Sequence, residues 1–159
     1  MSSRYSRKEI KVEAERLGFF ACGIARAEPV DAETAAAVRG WISKGSQATM
    51  DYMANYTEKR LNPCLLVPGT KSIVSLAMNY APAQTMPETE YQLAAYAYGQ
   101  DYHEVVKGKL RQLAAHFGFE PYIEEGVSPS PSVAESPPRY RVFCDSAPIL
   151  ERYWAVKAG

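Results

Sequence analysis

The chain has 159 residues, and 18 lysines and arginines balance 18 aspartates and glutamates, so its formal net charge is zero. This balance excludes a protein that binds polyanions through bulk positive charge, although it leaves room for a local basic patch. A hydrophobic fraction of 47% and a charged fraction of 23% exclude disorder over the whole chain. The length predicts a single domain.

The cysteines exclude further classes. Cys22, Cys64 and Cys144 lie far apart, and the chain has no CxxC motif, so a zinc knuckle or an iron–sulfur ligand run is not expected. Three isolated thiols indicate a reducing compartment, and we expect a cytoplasmic protein. No apolar run resembles a secretory signal or approaches the roughly 20 residues of a membrane span.

The first third of the chain predicts helix, strand and helix. Ser6 and Glu9 form a capping box for the first helix, and Gly18 ends it. Residues 19–24 read as a short buried strand. Asp31 stands at the N-cap of a second helix.

The middle third predicts a short helix over 49–61 and a strand over 72–80, whose continuous apolarity suits a position covered on both faces. Residues 92–98 fit either a helix or a strand, and we favour a strand. Asp101 with Glu104 forms a second capping box and opens a helix that runs to residue 116.

The last third predicts two strands, over 119–125 and 139–144, separated by a Ser/Pro-rich exposed or disordered loop at 126–138. Ser146 can cap a final helix with Pro148 in its first turn. The resulting order, α-β-α-α-β-β-α-β-β-α, predicts the α/β (α+β) class, with a mixed β-sheet and helices packed on it.

One candidate catalytic residue is Asp145, at the predicted end of a strand and directly before a helix. A carboxylic acid there can act as a general acid, because ligands of α/β proteins bind at the carboxyl ends of strands. The alternative is a simple helix cap, which is the commoner role of an aspartate at this position.

A second candidate is the segment from Tyr96 to His103, which holds three tyrosines. Five of the chain's eleven tyrosines fall between residues 80 and 102. Clustered tyrosines suit a pocket for a large flat ligand, and Gly99 would let such a ligand approach the backbone closely. The alternative is that the segment is a plain turn that binds no ligand. Asp101 and His103 begin the D-x-H-x-x-G pattern of cobalamin-binding histidines, but Val106 replaces its glycine. His103 is therefore not expected to bind cobalt.

Several motifs together resemble the epoxyqueuosine reductase family, and the resemblance covers nearly the whole chain except the Ser/Pro-rich loop. The matching stretches, in chain order, are LGFFACGIARA at 17–27, MDYM at 50–53 followed by Arg60, PGTKSIVSLAMNY at 68–80, YGQDYH at 98–103 and DSAPILER at 145–152 followed by AVKAG.

The resemblance implies a bacterial cytoplasmic enzyme that reduces epoxyqueuosine in the tRNA anticodon loop to queuosine, removing the epoxide oxygen as water with two electrons and two protons. It implies cobalamin, bound base-off without a protein histidine, and two four-iron four-sulfur clusters. By the same resemblance Asp145 is the catalytic acid, Arg152 lines the site, and the YGQDYH segment contributes to the corrinoid pocket. The site residues that we carry over as cofactor-binding are Tyr98, Gly99, Asp101, Tyr102, His103 and Arg152.

The chain also departs from the family, whose members continue with a GW-x-GK stretch and two cysteine runs that hold the clusters. We therefore expect residues 1–159 to be the N-terminal cobalamin-binding domain, truncated on its C-terminal side, without cluster ligands, monomeric and inactive alone. The alternatives are a non-enzymatic cobalamin carrier and a different corrinoid-dependent reductase. A carrier has no need of a positioned acid, so Asp145 favours the epoxyqueuosine reductase over a cobalamin carrier.

Overall fold

A computed structural model of the chain describes residues 5–123, 138–145 and 147–159. Within these ranges the elements are α1 Arg7–Arg16, β1 Ala21–Arg26, α2 Ala32–Ser43, α3 Thr57–Leu61, β2 Ser72–Ala77, α4 Tyr102–His116, β3 Glu120–Pro121, β4 Arg139–Tyr140 and α5 Glu151–Ala158. Short 3-10 turns lie at Asp51–Met53, Pro63–Leu65 and Ala95–Ala97. No helix in the described ranges is long and apolar enough to cross a bilayer.

The chain divides into two compact units, which are Met1–Cys22 with Leu76–Asp145, and Gly23–Ser75 with Ser146–Gly159. Each unit has its own apolar core. The prediction of one domain over residues 1–159 stays a prediction, because a division into compact units does not by itself set domain boundaries.

The first unit is built on α1 and α4, which pack against each other. The predicted capping box is confirmed: the Glu9 N–H donates to Ser6 Oγ at 3.2 Å, and the Ser6 N–H donates to the Glu9 carboxylate at 2.7 Å. The helices then bury one face each, since apolar residues recur at helical spacing. The buried core consists of Ala14, Leu17, Phe19, Leu113 and Phe117.

The second unit gathers α2, α3 and α5 around a smaller core of Ala25, Val30, Leu61 and Trp154. Asp31 caps α2 as predicted, accepting the Thr34 N–H at 2.8 Å. The Tyr153 hydroxyl of α5 donates to the same carboxylate at 3.0 Å. A local helix cap is thereby tied to a residue more than 100 positions away.

The described strands form two sheets of two strands each, rather than the single mixed sheet predicted. β1 and β2 run antiparallel, since the Phe20 N–H donates to the Ala77 carbonyl and the Ala27 N–H to that of Lys71. β3 and β4 pair in parallel. The α+β class is confirmed, with less sheet than the sequence predicts.

Several predicted elements are wrong in extent or type. Residues 91–97 are exposed and carry a 3-10 turn at Ala95–Ala97, so the strand over 92–98 does not form. Tyr56, with a φ of 56°, interrupts the helix predicted over 49–61. The strands over 119–125 and 139–144 shrink to the two-residue pair β3 and β4.

The final helix begins at Glu151, four residues later than a helix capped by Ser146 would begin. The Ile149 N–H donates to the Ala147 carbonyl at 2.8 Å, so the chain makes a tight turn around Pro148 before the helix starts. The predicted cap, Ser146, lies outside the described residues, as does the Ser/Pro-rich loop at 126–138 apart from its last residue.

Candidate functional site

Four side chains of the first unit meet in one group, which we call the acid cluster: Asp101, Tyr102, His103 and Asp145. The Tyr102 hydroxyl donates a hydrogen bond to Asp145 Oδ2. His103 Nε2 lies 3.9 Å from the same oxygen, and His103 Nδ1 lies 2.9 Å from Asp101 Oδ1. Two carboxylates thus face the two nitrogens of one imidazole.

The start of α4 positions three members of the acid cluster. Asp101 is the N-cap, as predicted, and its carboxylate accepts the His103 N–H at 2.9 Å; a capping box would instead use the N–H of Glu104. Tyr102 and His103 are the first two residues of the helix, and their rings stack with centroids 4.1 Å apart. One cap therefore orients both side chains that point to Asp145.

Asp145 reaches the acid cluster from the loop after β4. Its φ of 59° lies in the left-handed region, which aspartate tolerates better than most residues. Its side chain is 56% exposed. Because α5 begins only at Glu151, Asp145 does not cap that helix, and the simple cap that the sequence allowed is excluded.

Hydrogen bonds set the electrostatics of the acid cluster. The backbone N–H and then the side chain of His103 lower the pKa of Asp101, with a smaller contribution from the positive charge of Lys107. The hydrogen bond to Asp145 raises the pKa of Tyr102 to about 12. The phenol therefore keeps its proton near neutral pH and acts as a donor that orients the exposed carboxyl of Asp145.

The other predicted site residues lie outside the acid cluster. Tyr98 accepts the Met86 N–H at 3.3 Å through its hydroxyl. Gly99 has a φ of 81°, which favours glycine, and open space where a Cβ would stand. Glycine is therefore required by the backbone conformation and not by a neighbouring group that packs close to it. Arg152 is an exposed residue of α5 and belongs to the second unit.

Tyr96 is a neighbour of the acid cluster that belongs to the tyrosine-rich segment but not to the site residues carried over from the family. Its ring meets that of Tyr102 edge-on, with centroids 6.0 Å apart and an interplanar angle of 81°. The side chains of Tyr91 and Tyr96 are 93% and 57% exposed. The clustering of tyrosines was the available signal, but the strand expected at 92–98 concealed which of them would approach Asp145.

A cavity of about 300 Å³ in the first unit lies elsewhere and contains no predicted site residue; it is lined by Lys8, Glu9, Val12, Glu13, His116 and Phe117. In the described parts of the chain, no three His, Cys, Asp or Glu side chains come together as metal ligands. The acid cluster is therefore the group with the clearest chemistry, because it combines an exposed acid with ordered donors.

The fold and the acid cluster together define an α+β protein that presents an ordered acid to solvent. The family model described as "Epoxyqueuosine reductase QueG, DUF1730" matches residues 60–146, more than half of the chain. The chain belongs to the epoxyqueuosine reductase family.

Curated relatives agree with this assignment. The chain is 41% identical over 150 residues to an epoxyqueuosine reductase of Cellulophaga algicola, covering 94% of this chain and 44% of that protein. It is 43% identical over 152 residues to that of Cyclobacterium marinum, with the same coverage. The chain thus spans less than half the length of these relatives.

Solved structures share the fold. The epoxyqueuosine reductase of Streptococcus thermophilus matches 69% of this chain and 30% of its own, with a TM-score of 0.60 and 27% identity. An epoxyqueuosine reductase solved with an epoxyqueuosine-modified tRNA-Tyr stem loop matches equal shares, with a TM-score of 0.58 and 26% identity. The Bacillus subtilis enzyme, solved with its catalytic aspartate loop swung out of the active site, matches those shares with a TM-score of 0.55 and 26% identity.

Proposed function

We propose that this chain is the N-terminal, cobalamin-binding portion of a cytoplasmic epoxyqueuosine reductase, which reduces epoxyqueuosine in a tRNA anticodon loop to queuosine. Family membership supports the activity, and the relative solved with a modified tRNA stem loop supports the substrate. We propose in addition that Asp145 is the acid that protonates the epoxide oxygen.

The observation that carries this proposal is the placement of Asp145. An epoxide oxygen needs a proton as its C–O bond breaks, because an alkoxide is a poor leaving group in neutral water. Asp145 stands exposed on a loop, and Tyr102 orients it through a hydrogen bond. A left-handed aspartate at a loop is typical of strain held at a functional position. The catalytic aspartate loop of the Bacillus subtilis relative supports the same role.

The residues around the acid cluster fit a corrinoid. A corrin is wide and flat with amide side chains, and the exposed Tyr96 beside Tyr102 offers a ring face for contact and a hydroxyl for the amides. Both nitrogens of His103 face carboxylates, which supports a base-off mode in which no histidine ligates the metal. Cobalamin, when bound, would supply the reducing electrons at its cobalt.

We propose that the chain does not turn over unless electrons are delivered from outside. A four-iron four-sulfur cluster takes four thiolates, whereas the chain has three cysteines far apart in sequence. Cys144 is buried, and Cys22 and Cys64 are half-buried. Burial raises the pKa of the Cys22 thiol, which makes it a poorer ligand. These 159 residues therefore do not supply the ligands of the two clusters expected of the family.

The test uses the 159-residue chain with cobalamin, a low-potential chemical reductant and a stem-loop RNA that carries epoxyqueuosine. We expect a base-off cobalamin spectrum and, by mass spectrometry, queuosine only when the reductant is present. Asp145→Asn should keep the spectrum and slow product formation about 100-fold or more. Asp51→Asn, at an exposed aspartate of a 3-10 turn, is the matched control and should retain the wild-type rate.

Two outcomes would contradict the proposal. An Asp145→Asn variant as fast as Asp51→Asn would remove Asp145 as the acid. A wild-type chain that neither changes the cobalamin spectrum nor forms queuosine with reductant present would reject the proposed function for this chain.

A further inference from the structure

The proposed reaction needs two protons, but one carboxylic acid holds one. Converting an epoxide to an alkene and water consumes two electrons and two protons, and both protons end on the same oxygen. If Asp145 gives the first proton, it must be recharged before it can give the second. This inference rests on the proposed function and asks which group recharges Asp145.

Among the described residues, the acid cluster offers two ordered neighbours of Asp145, which are Tyr102 and His103. Tyr102 contacts Asp145 directly, but its pKa of about 12 makes it a poor source of protons near neutral pH. His103 Nε2 lies 3.9 Å from Asp145 Oδ2, a separation that a small side-chain rotation or a single water can close. Histidine is also the side chain that gains and loses protons most readily near neutral pH.

Asp101 prepares His103 for this role. Its carboxylate lies 2.9 Å from His103 Nδ1, so that nitrogen carries a proton toward Asp101 while Nε2 is turned to Asp145. Within the ranges that the structure describes, Lys107 acts on Asp101, and Cys144 and Tyr96 act on Tyr102. The His103 side chain is 34% exposed, so water can return a proton to it.

We propose that His103, oriented by Asp101, reprotonates Asp145 within each turnover. Asp145 gives its proton to the epoxide oxygen as the first C–O bond breaks. The Nε2–H bond of the His103 imidazolium then breaks to return a proton to Asp145 Oδ2, which leaves a neutral ring with its proton on Nδ1. Asp145 passes that proton to the hydroxyl oxygen, which leaves as water. The two electrons would come from the reduced cobalamin of the proposed function. Solvent then returns one proton to Asp145 through His103 and a second proton to His103 itself, which restores both groups. His103 acts through Asp145 and is a positioning residue, not a catalytic one.

The first test needs neither cobalamin nor RNA. NMR titration of the chain follows the ring signals of His103 and of His116, the chain's other histidine. Asp145→Asn removes a negative charge beside His103, so we expect its titration midpoint to fall by about 0.2 to 0.5 of a pH unit. Asp101→Asn should lower it as well, and neither variant should move the midpoint of His116. An unchanged His103 midpoint in Asp145→Asn would overturn the proposal.

The second test measures turnover against pH with reductant present. His103→Gln should lower the rate about 10- to 100-fold. It should also change the pH profile of the rate, and added imidazole should restore part of the rate. His116→Gln is the control and should match the wild type. A His103→Gln variant with the wild-type rate and pH profile would overturn the relay.

The two tests separate this proposal from the proposed function. An inactive Asp145→Asn variant beside a fully active His103→Gln variant keeps Asp145 as the acid and rejects His103 as its proton source. An inactive wild-type chain rejects the proposed function, while the NMR titration still decides whether His103 and Asp145 are coupled.

Discussion

Two groups in the first unit pair a histidine with a carboxylate, yet they differ in almost every physical respect. In the acid cluster, Asp145 is 56% exposed. In the second group, which we call the Glu13 group, the Glu13 side chain is only 7% exposed. Arg16 binds it through two hydrogen bonds of 2.8 and 2.6 Å, and His116 Nδ1 lies 3.4 Å away.

This difference separates a structural carboxylate from a working one. A bidentate guanidinium holds Glu13 in one charge state, and its hydrogen bonds are the main reason that the pKa of Glu13 is lowered. Asp145 instead accepts a hydrogen bond from a neutral phenol and faces a histidine that can exchange protons. Similar residue types therefore stabilise the fold in one place and are available for chemistry in the other.

The largest expected difference between Glu13 and Asp145 is in how much each side chain contributes to the thermal stability of the fold. Glu13→Gln breaks the bidentate bond to Arg16 and leaves polar groups next to the core without their partner, so we expect the thermal midpoint to fall by several degrees. Asp145→Asn should leave the midpoint almost unchanged, because the side chain is exposed and asparagine can still accept from Tyr102. Thermal unfolding followed by circular dichroism measures both, and equal losses would show that the two carboxylates are not distinct in role.

Local features of the fold could be predicted from the sequence, whereas long-range ones could not. The caps at Ser6, Asp31 and Asp101 act within three residues, so their side chains and spacing suffice to predict them. The contact between Tyr102 and Asp145 joins residues 43 positions apart, and no local rule predicts it. From the sequence alone, only the family resemblance predicted that Asp145 and the segment that contains Tyr102 belong to one site.

The wrong predictions of secondary structure have the same origin. Apolar and aromatic residues at 92–98 suit a strand, but a strand also needs a partner, and sequence alternation does not reveal whether one is present. The helix expected after Ser146 starts late because Pro148 lies in a tight turn, which depends on the backbone geometry between Asp145 and α5.

A smaller effect isolates the backbone at Asp145. Its φ of 59° suits aspartate and asparagine but disfavours alanine, so Asp145→Ala should be less stable than Asp145→Asn by about 1 kcal/mol. Both variants should lose the proposed activity to the same degree, since neither side chain carries an acidic proton. Urea unfolding compares their stabilities, and equal values would mean that the left-handed conformation is absent in solution.

The smallest effect concerns acid. Hydrogen bonds to Arg16 lower the pKa of Glu13 below its usual 4.5, so the folded state favours the ionised form. The stability that this preference contributes is present above about pH 4.5 and is lost as pH falls through the lowered pKa of the folded state. Glu13→Gln cannot titrate, so its stability deficit relative to the wild type should narrow over that range. Thermal midpoints measured from pH 7 to pH 3 check this, and a deficit that stays constant would show that the ionisation of Glu13 does not stabilise the fold. Asp101→Asn should behave in the same direction, because hydrogen bonds from His103 lower the pKa of Asp101.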